Sequence, residues 1–405
     1  MRPDVRTAAV RPAFGLSVAE LRGRGGKKWH TYDDDVLPAW IADMDFRPAD
    51  AVREAVLDIA RAGDFTYRPD AMLRLAAATL ADRMRAKFGW EIDPDRVTVL
   101  ADLVQGLTAT VLAYSAPGDG VGVLTPIYPP FVNVLRSTGR RLVAVPMTDT
   151  PGGFTVDLDA LERALRPDDV TVLLLCNPHN PTGRVLTRAE LSAIDGLAAR
   201  HGVVVVSDEI HAELVYAPRR HIVTATVSPT AATRTVTLQS ATKAFNLGSL
   251  RCGFVHFGSE DLHRQFDRVI PDRLLGRVSG VSIAATVAAW LEGDDWLGQV
   301  LRQLAANRDR VTQWVAAQDG RVHAHAPEAT YFSWLRLHES SREPAADVLL
   351  RNGRVALHPG QQFAPECSSW VRLNFATTPE ILDDILARVS TALSTHQVSI
   401  SGGNS

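Results

Sequence analysis

The chain has 405 residues, 46% of them hydrophobic, and a formal net charge of −3 at pH 7. This balance shows neither the basic footprint of a nucleic-acid-binding protein nor the charge excess of a disordered chain. No segment has the uninterrupted apolar length of a membrane span, and residues 1–16 lack the apolar run of a signal peptide. We therefore expect a cytoplasmic protein that acts on small molecules, without a membrane or nucleic-acid partner.

The cysteine pattern gives no disulfide or metal signal. Cys176, Cys252 and Cys367 form an odd set without CxxC spacing. We expect neither a disulfide framework nor a zinc site, and no other metal site. Each cysteine is expected to be a small buried apolar residue.

The N-terminal part of the chain begins without a regular pattern. Residues 22–28, rich in Gly, Arg and Lys, predict a flexible, solvated arm. In the stretch 40–46 (WIADMDF), Trp40 and Asp43 are candidates for the mouth of a substrate site, although helix capping explains Asp43 equally well. Two helical patterns follow, and the loop between them places Tyr67 on an exposed turn.

From residue 97 onward, short apolar runs alternate with helical stretches, which indicates parallel strands joined by crossover helices. The runs span residues 97–100, 121–124, 171–176, 203–207, 235–238 and 253–257. We predict an α/β fold with a mostly parallel sheet sandwiched by helices. In such sheets, ligands bind beyond the carboxyl ends of the strands.

The last third of the sequence predicts a smaller α+β domain. Its pattern consists of helices at 282–291 and 297–318, strands near 331–335, 355–357 and 370–375, and a closing helix at 379–393. We predict a large domain over residues 47–290 and a small domain over residues 291–395. Residues 1–46 are expected to form an arm and part of the small domain, and residues 396–405 a flexible tail.

One lysine stands at an unusual place in this pattern. Lys243 follows the buried run at 235–238 and lies between small hydroxylated residues and an aromatic residue. An exposed cation there would be costly, and a desolvated amine has a lowered pKa and forms imines. We expect Lys243 to form a Schiff base with pyridoxal phosphate; a lysine that closes a loop and reaches water is the alternative.

Two further strand ends carry polar groups that suit the same cofactor. Asn180, in a rigid turn after the run at 171–176, can bond the phenolic oxygen or simply cap the next helix. Asp208, after the run at 203–207, is expensive to bury unless a cation meets it, and a pyridinium nitrogen is such a cation. Asn180, Asp208 and Lys243 together predict a pyridoxal phosphate site.

The phosphate of this cofactor requires hydrogen-bond donors. Leu103 and Val104 open a predicted helix whose free backbone N–H groups can bind an anion. Ser240 can add a hydroxyl and Arg251 a guanidinium. Asp102 fits this environment only if its carboxylate points away from the dianion.

Three further side chains are candidates with a competing explanation for each. Tyr128 could stack on the cofactor ring or pack in the core. Arg372 could clamp a substrate α-carboxylate bidentately or form a surface salt bridge. His211 could line the cofactor site or form a hydrogen bond within its own loop.

With these residues in place, the chain resembles fold-type I pyridoxal phosphate enzymes of the aminotransferase class I/II superfamily. The shared motifs are residues 177–183 (NPHNPTG), 208–211 (DEIH) and 240–243 (SATK). Within the superfamily, the chain is similar to the MalY/PatB group of cystathionine β-lyases, also called cysteine-S-conjugate β-lyases. That similarity rests on residues 40–46, 208–211, 243–247 and 372–376.

The resemblance implies a seven-stranded type of sheet in the large domain and a homodimer with active sites at the subunit interface. It also implies the following roles: Lys243 as Schiff-base residue and proton shuttle, Asp208 as pyridinium partner, Asn180 as ligand of the phenolic oxygen, Tyr128 as stacking residue, Arg372 as carboxylate clamp, and Tyr67 as a phosphate ligand of the other subunit's site.

Three positions depart from the MalY/PatB pattern. Asp102 stands where the group usually has a small residue, and Ala364 replaces a common Gly. Arg251 occupies a position often filled by Gln in these lyases and is the aminotransferase-like choice.

The predicted reaction is β-elimination of an S-substituted L-cysteine to a thiol, pyruvate and ammonia, with Lys243 removing the Cα proton. A class I/II aminotransferase is the first alternative, because it shares every cofactor contact. A regulatory protein on the same fold is the second, although the N-terminal arm is too short and irregular for a helix-turn-helix.

Overall fold

The computed structural model describes residues 13–67, 69–338 and 343–401. The strands in these residues are β1 (Leu37–Ala39), β2 (Val97–Leu100), β3 (Gly120–Thr125), β4 (Arg141–Pro146), β5 (Thr148–Thr150), β6 (Gly153–Thr155), β7 (Val170–Cys176), β8 (Val204–Asp208), β9 (Thr235–Gln239), β10 (Gly253–Phe257), β11 (Val322–His323), β12 (Phe332–Leu337), β13 (Val355–Pro359) and β14 (Trp370–Asn374).

The helices in the same residues are α1 (Val18–Arg22), α2 (Lys27–His30), α3 (Asp50–Ala62), α4 (Asp70–Phe88), α5 (Leu103–Tyr114), α6 (Pro129–Ser137), α7 (Leu158–Leu165), α8 (Arg188–Arg200), α9 (Pro229–Arg234), α10 (Glu260–Val269), α11 (Asp272–Leu275), α12 (Gly280–Glu292), α13 (Asp294–Ala316), α14 (Ala345–Gly353) and α15 (Pro379–Ser401). None of these helices combines the length and apolarity needed to cross a lipid bilayer.

A seven-stranded sheet in the order β2-β10-β9-β8-β7-β3-β4 forms the centre of the molecule. Both of its faces are covered, because alternate residues of β7 belong to different cores: Val172 and Leu174 to one, Leu173 and Leu175 to the other. This confirms the predicted α/β fold with a mostly parallel sheet.

The sheet differs from the sequence prediction in two strands. β10 pairs antiparallel with both β2 and β9, so the expectation of a parallel strand at 253–257 was wrong. The apolar run gave no directional information, because a buried strand is apolar on both faces in either direction. β4 escaped prediction because Arg141–Pro146 lies at the sheet edge and most of its residues are exposed.

A second, five-stranded sheet has the order β1-β13-β14-β12-β11. β1 comes from the N-terminal part of the chain and pairs parallel with β13, with Leu37 opposite Val355. The N-terminal segment therefore contributes to the sheet of the C-terminal part. The boundaries of the two domains stay a prediction.

The N-terminal segment is more ordered than its composition suggested. Ser17 and Glu20 form a reciprocal capping box that starts α1. The ammonium of Lys28, in α2, is buried 2.8 Å from Asp45. The expectation of a solvated segment at 22–28 was wrong for Lys28, because this lysine has a buried partner distant in sequence, whereas Gly23, Gly25, Gly26 and Lys27 are exposed as predicted.

The closing helix is longer than predicted. α15 continues to Ser401, past the expected end at residue 393. No Gly or Pro follows Pro379 in the sequence until Gly402, so no residue stops the helix earlier. Residues 402–405 of the predicted tail lie outside the described residues.

Candidate functional site

A cavity of about 530 Å³ opens at the ends of the central strands. The side chains of nine sequence-predicted residues line it: Leu103, Val104, Tyr128, Asn180, Asp208, His211, Ser240, Lys243 and Arg251. These residues come from six separate segments of the chain. The strand ends therefore meet as expected for an α/β sheet.

Lys243 lies in a turn that follows β9, with its amine directed into the cavity wall formed by residue 42. Its Nζ is 3.3 Å from the carbonyl oxygen of Ala42. Among the described residues, this amine makes no ion pair. Burial lowers the pKa of Lys243, although the nearby carboxylates of Asp43 and Asp208 oppose the shift. The amine is thus biased toward its neutral, nucleophilic form.

Asp208 is the last residue of β8 and projects into the cavity. Burial raises the pKa of its carboxyl to about 6, while the hydrogen bond that Oδ1 accepts from the Ile210 N–H, 3.1 Å away, favours the charged form. A half-buried carboxylate that no cation contacts within the described residues is an unfavourable arrangement. A cationic ring nitrogen in the cavity would relieve it.

The adjacent acid has a different environment. Glu209 is fully buried and accepts hydrogen bonds from Ser207 Oγ at 2.9 Å and from the Thr224 N–H at 2.9 Å. Its other oxygen lies 2.7 Å from His221 Nε2. Glu209 therefore anchors the loop after β8 and leaves the ligand position to Asp208. Its partners Thr224 and His221 are distant in sequence and could not be predicted from the residues around Glu209.

Arg372 is placed behind the cavity by β14. Its side chain is buried, and its Nη1 donates to Asn180 Oδ1 at 2.9 Å. Its Nη2 lies 3.0 Å from both the Trp40 carbonyl oxygen and His358 Nδ1, and its guanidinium covers the Phe332 ring at 3.9 Å. A surface salt bridge was the alternative role predicted for Arg372. That alternative was wrong, because each of these partners is neutral and the side chain is buried.

The electrostatics of Arg372 favour an anionic ligand. Burial lowers the pKa of its guanidinium to about 10. The buried Nε has no hydrogen-bond partner among the described residues. A carboxylate would supply both the missing counter-charge and a bidentate acceptor.

Trp40 and Asp43 do not line the cavity themselves. The Trp40 ring packs edge-on against Tyr32 at 5.9 Å and under the ammonium of Lys27 at 5.5 Å. Its contribution to the site is the carbonyl that holds Arg372. The carbonyl of Asp43 accepts from Asn374 Nδ2 at 2.8 Å, so this segment is fixed by main-chain contacts that side-chain reasoning missed.

The phosphate-binding candidates meet at the start of α5. Asp102 is the N-cap of this helix, and its Oδ1 accepts from the Gln105 N–H at 2.9 Å. Its Oδ2 pairs with Arg251 Nη1 at 2.8 Å. The carboxylate is therefore occupied with capping and ion pairing, while the backbone N–H groups of Leu103 and Val104 remain at the helix start.

Ser240 has one hydrogen-bond partner in its own turn and another just before β10. Its Oγ lies 2.7 Å from the Cys252 carbonyl oxygen and 2.9 Å from Thr242 Oγ1. Thr242 also lines the cavity and was missed by the sequence analysis. The second hydroxyl-bearing residue two positions after Ser240 is the feature of the sequence that could have identified Thr242.

Tyr128, which is partly buried, and His211, which is buried, are aromatic residues of the cavity wall. Burial raises the pKa of the Tyr128 phenol and lowers that of His211 well below its usual value. The His211 ring packs against Tyr331 and Phe332, and its Nδ1 has no partner among the described residues. The alternative of a side-chain hydrogen bond within its own loop was therefore wrong for that nitrogen.

Tyr67 lies away from the cavity. Its side chain is 98% exposed, next to Phe65, which is 72% exposed. The structure does not bring Tyr67 together with the other predicted site residues of the same chain. The three cysteines are buried and free, as predicted.

Residues 41–389 match the model of the family "Aminotransferase class I and II". Cystathionine beta-lyase PatB of Bacillus subtilis is 31% identical over 363 residues, which cover 89% of this chain and 93% of that protein. A cystathionine beta-lyase of Corynebacterium glutamicum is 32% identical over 378 residues, with 92% and 98% coverage.

A solved structure gives the same assignment. The Corynebacterium diphtheriae protein, provisionally assigned as a pyridoxal phosphate-dependent β-cystathionase, superimposes with a TM-score of 0.89 and 30% identity. The match covers 95% of this chain and 100% of that one. The likeness therefore includes both sheets.

The cavity fits pyridoxal 5′-phosphate. Among the described residues, it presents an amine without an ion pair at Lys243, a carboxylate without a contacting cation at Asp208, and the free N–H groups of a helix start at Leu103 and Val104. These groups match the aldehyde, ring nitrogen and phosphate of that cofactor. The chain belongs to the aminotransferase class I and II family of pyridoxal phosphate enzymes and, within it, to the group of cystathionine β-lyases that includes PatB.

Proposed function

We propose that the protein is a carbon–sulfur lyase that converts an S-substituted L-cysteine, such as cystathionine, into a thiol, pyruvate and ammonia. The observation that carries the proposal is the Lys243 amine at the wall of the cavity, which makes no ion pair within the described residues and whose pKa is lowered by burial. The sequence similarity to named cystathionine β-lyases supports the substrate class.

The cofactor supplies an electron sink for the pair left behind when the substrate Cα loses its proton. Lys243 would hold the cofactor's aldehyde carbon until a substrate amine displaces it. Its Nζ, with a pKa lowered by burial, then accepts the Cα proton. The Cβ–S bond breaks, the sulfur departs with the bonding electrons, and the proton on Nζ passes to the leaving thiolate.

Other side chains would position the reactants. Asp208 would face the ring nitrogen and keep it protonated, which its buried carboxylate favours. Asn180 has its Oδ1 occupied by Arg372, so its amide nitrogen is the atom left to donate to the phenolic oxygen. Arg372 would bind the α-carboxylate. Water then hydrolyses the released aminoacrylate to pyruvate and ammonia.

The phosphate would be held by the start of α5 together with residues of the β9–β10 connection. The Asp102–Arg251 ion pair is exposed on the Arg251 side, where the guanidinium is 65% accessible. Arg251 can therefore turn toward a phosphate while Asp102 keeps its capping bond. Ser240 would have to give up its bond to Cys252 to donate, whereas Thr242 offers a second hydroxyl.

The direct test is an assay of pyruvate and free thiol with cystathionine and other cysteine conjugates. We expect both products in equal amounts, together with ammonia. Absence of pyruvate from every conjugate would contradict the proposal. Conversion of the cofactor to its pyridoxamine form, with keto acid but no ammonia, would instead establish an aminotransferase, a reaction favoured by the family description and by Arg251.

A homodimer with shared sites is a second element of the proposal. Tyr67 and Phe65 form an exposed aromatic surface outside their own cavity. In a dimer, Tyr67 would contact the phosphate bound by the partner. Sedimentation should give twice the mass of the 44.0 kDa chain, and Tyr67→Phe should weaken cofactor affinity without changing the mass; a monomer with full activity would exclude this element.

The proposed location is the cytoplasm. Cys176, Cys252 and Cys367 are free thiols, which is the usual state in a reducing compartment. Cell fractionation with an antibody against the protein is the measurement; recovery outside the cytoplasmic fraction would contradict the proposal.

A further inference from the structure

A cluster of two histidines and one carboxylate lies outside the cofactor cavity. Asp149 belongs to β5 of the short β5–β6 hairpin, whereas His323 and His325 lie at and just beyond β11, in the five-stranded sheet. The cluster therefore joins two parts of the chain that are about 175 residues apart. None of its members lines the cofactor cavity.

The two histidines converge on the same carboxylate. His325 Nε2 lies 2.6 Å from Asp149 Oδ1, and His323 Nε2 lies 3.2 Å from Asp149 Oδ2. One candidate ligand atom from each of the three residues lies within 4.8 Å of the others. For a tetrahedral Zn²⁺ with bonds near 2.1 Å, donor atoms lie about 3.4 Å apart. Small side-chain rotations would bring the three donors to that spacing.

The surroundings of the cluster combine rigidity with access. The His325 ring packs edge-on against Phe154, and the His323 ring against Trp370. The side chains of Asp149, His323 and His325 retain 29%, 38% and 19% of their exposure. Aromatic packing thus restricts the imidazole orientations, and a solvated ion can still enter.

We propose that Asp149, His323 and His325 form a binding site for a divalent transition-metal ion, with Zn²⁺ as the preferred ligand. Two imidazoles and one carboxylate are a common donor set for such ions, and the remaining coordination positions are left for water. The ion would tie the β5–β6 hairpin to the five-stranded sheet. The site is independent of the lyase reaction.

The competing arrangement is a hydrogen-bonded pair of histidines around an aspartate, without an ion. It predicts no saturable binding of metal. The metal site predicts that Zn²⁺ binds the folded chain and stabilises it in proportion to ligand concentration, because the ligands from the hairpin and the sheet separate on unfolding.

The experiment is equilibrium dialysis of the chelator-treated holoenzyme against ZnCl₂, with bound zinc measured per chain, followed by thermal unfolding with and without the ion. We expect one zinc per chain at this site and a higher Tm in its presence. Asp149→Asn keeps the shape of the exposed aspartate but removes its charge, and should reduce affinity at least about 100-fold, as should His323→Gln.

His201→Gln is the matched control. His201 also has an acidic neighbour, because its Nε2 lies 3.9 Å from Glu162. Within the described residues, this pair has no third candidate metal ligand beside it. This variant should bind zinc and gain Tm as the unaltered chain does. Equal zinc binding by Asp149→Asn, His323→Gln and the unaltered chain would place the ion elsewhere and overturn the proposal, and absence of a saturable site in the unaltered chain would do the same.

Discussion

Two lysines, the buried Lys28 and the half-buried Lys243, lie on either side of one short segment, residues 42–45, and their environments are opposite. Lys28 Nζ contacts the Asp45 carboxylate at 2.8 Å and the Asp43 carbonyl at 3.3 Å. Lys243 Nζ contacts only a carbonyl, that of Ala42, at 3.3 Å among the described residues. The Asp45 carboxylate balances the charge of the Lys28 ammonium, whereas burial lowers the pKa of Lys243.

The comparison separates a structural lysine from a reactive one. A buried ammonium with a contacting carboxylate stays charged and holds its neighbours together. A buried amine without one is biased toward the neutral form that attacks carbonyl carbons. The segment 42–45 thus places the Asp45 carboxylate in contact with Lys28, whereas its Asp43 carboxylate lies near Lys243 without forming an ion pair among the described residues.

The largest effect is expected from Lys243→Ala. It removes the group that takes the Cα proton, so kcat/KM for pyruvate release should fall by about 10³-fold or more. Because Lys243 makes no ion pair within the described residues, the cofactor-free variant should unfold at the same or a higher urea concentration than the unaltered chain. Retained pyruvate release would contradict the catalytic assignment.

Lys28→Met should act on stability instead. Among the described residues, it leaves the buried Asp45 carboxylate with only the Trp29 indole N–H as a donor, at 2.8 Å. Loss of one member of a buried ion pair costs about 3–5 kcal/mol in the free energy of unfolding. Urea unfolding of the cofactor-free protein is the measurement.

Lys87→Met is the control for that experiment. Lys87 pairs with Asp294 at 2.8 Å, but both side chains are partly exposed, at 33% and 54%. Its loss should cost no more than about 1 kcal/mol. Equal losses in the free energy of unfolding from Lys28→Met and Lys87→Met would contradict the assignment of Lys28 and Asp45 as a stabilising buried ion pair.

Asp208→Asn should change the pH dependence of stability in the cofactor-free protein. Burial raises the pKa of Asp208 from 3.8 to about 6, so folding favours its protonated form. The unfavourable contribution of the charged form is absent below about pH 4 and complete above about pH 6. It is worth roughly 3 kcal/mol at most.

Urea unfolding at pH 4 and pH 7 isolates this contribution. Relative to the unaltered chain, the Asp208→Asn variant should gain stability at pH 7 and little at pH 4. With cofactor bound, the ordering at pH 7 should reverse, because a ring cation then favours the carboxylate. If the free energy of unfolding depended on pH identically in the cofactor-free unaltered chain and in Asp208→Asn, the raised pKa of Asp208 would be refuted.

The smallest effect is expected from Arg372→Lys. The variant keeps a positive charge but loses the planar fork that can hold a carboxylate with two hydrogen bonds. The KM for cystathionine should rise about 10- to 100-fold, the equivalent of one charged hydrogen bond, with a smaller change in kcat. Arg354→Lys, at an exposed ion pair with Asp33 and Asp35, is the control and should leave KM unchanged.

The sequence predicted best what depends on local pattern. The strand ends carrying Asn180, Asp208 and Lys243 were predictable because apolar runs locate buried strands and parallel strand ends converge. The antiparallel direction of β10 was not predictable from an apolar run.

Contacts between distant residues could not be predicted in the same way. Nothing near Lys28 in sequence indicates its buried partner Asp45, and nothing near Asp149 indicates His323. The neutral environment of Arg372 depends on the Trp40 carbonyl and on the side chains of Asn180 and His358, and nothing near Arg372 in sequence identifies these partners. The composition of residues 22–28 therefore predicted a solvated Lys28, whereas the fold buries this lysine against Asp45.

The most direct test uses the four lysines of the chain, Lys27, Lys28, Lys87 and Lys243. The holoenzyme is reduced with borohydride, which fixes the cofactor to the amine that holds it, and is then digested and mapped by mass spectrometry. We expect a phosphopyridoxyl group on the peptide that contains Lys243. The peptides that contain Lys27, Lys28 and Lys87 should be unmodified. A label on any other lysine, or none on Lys243, would contradict this expectation.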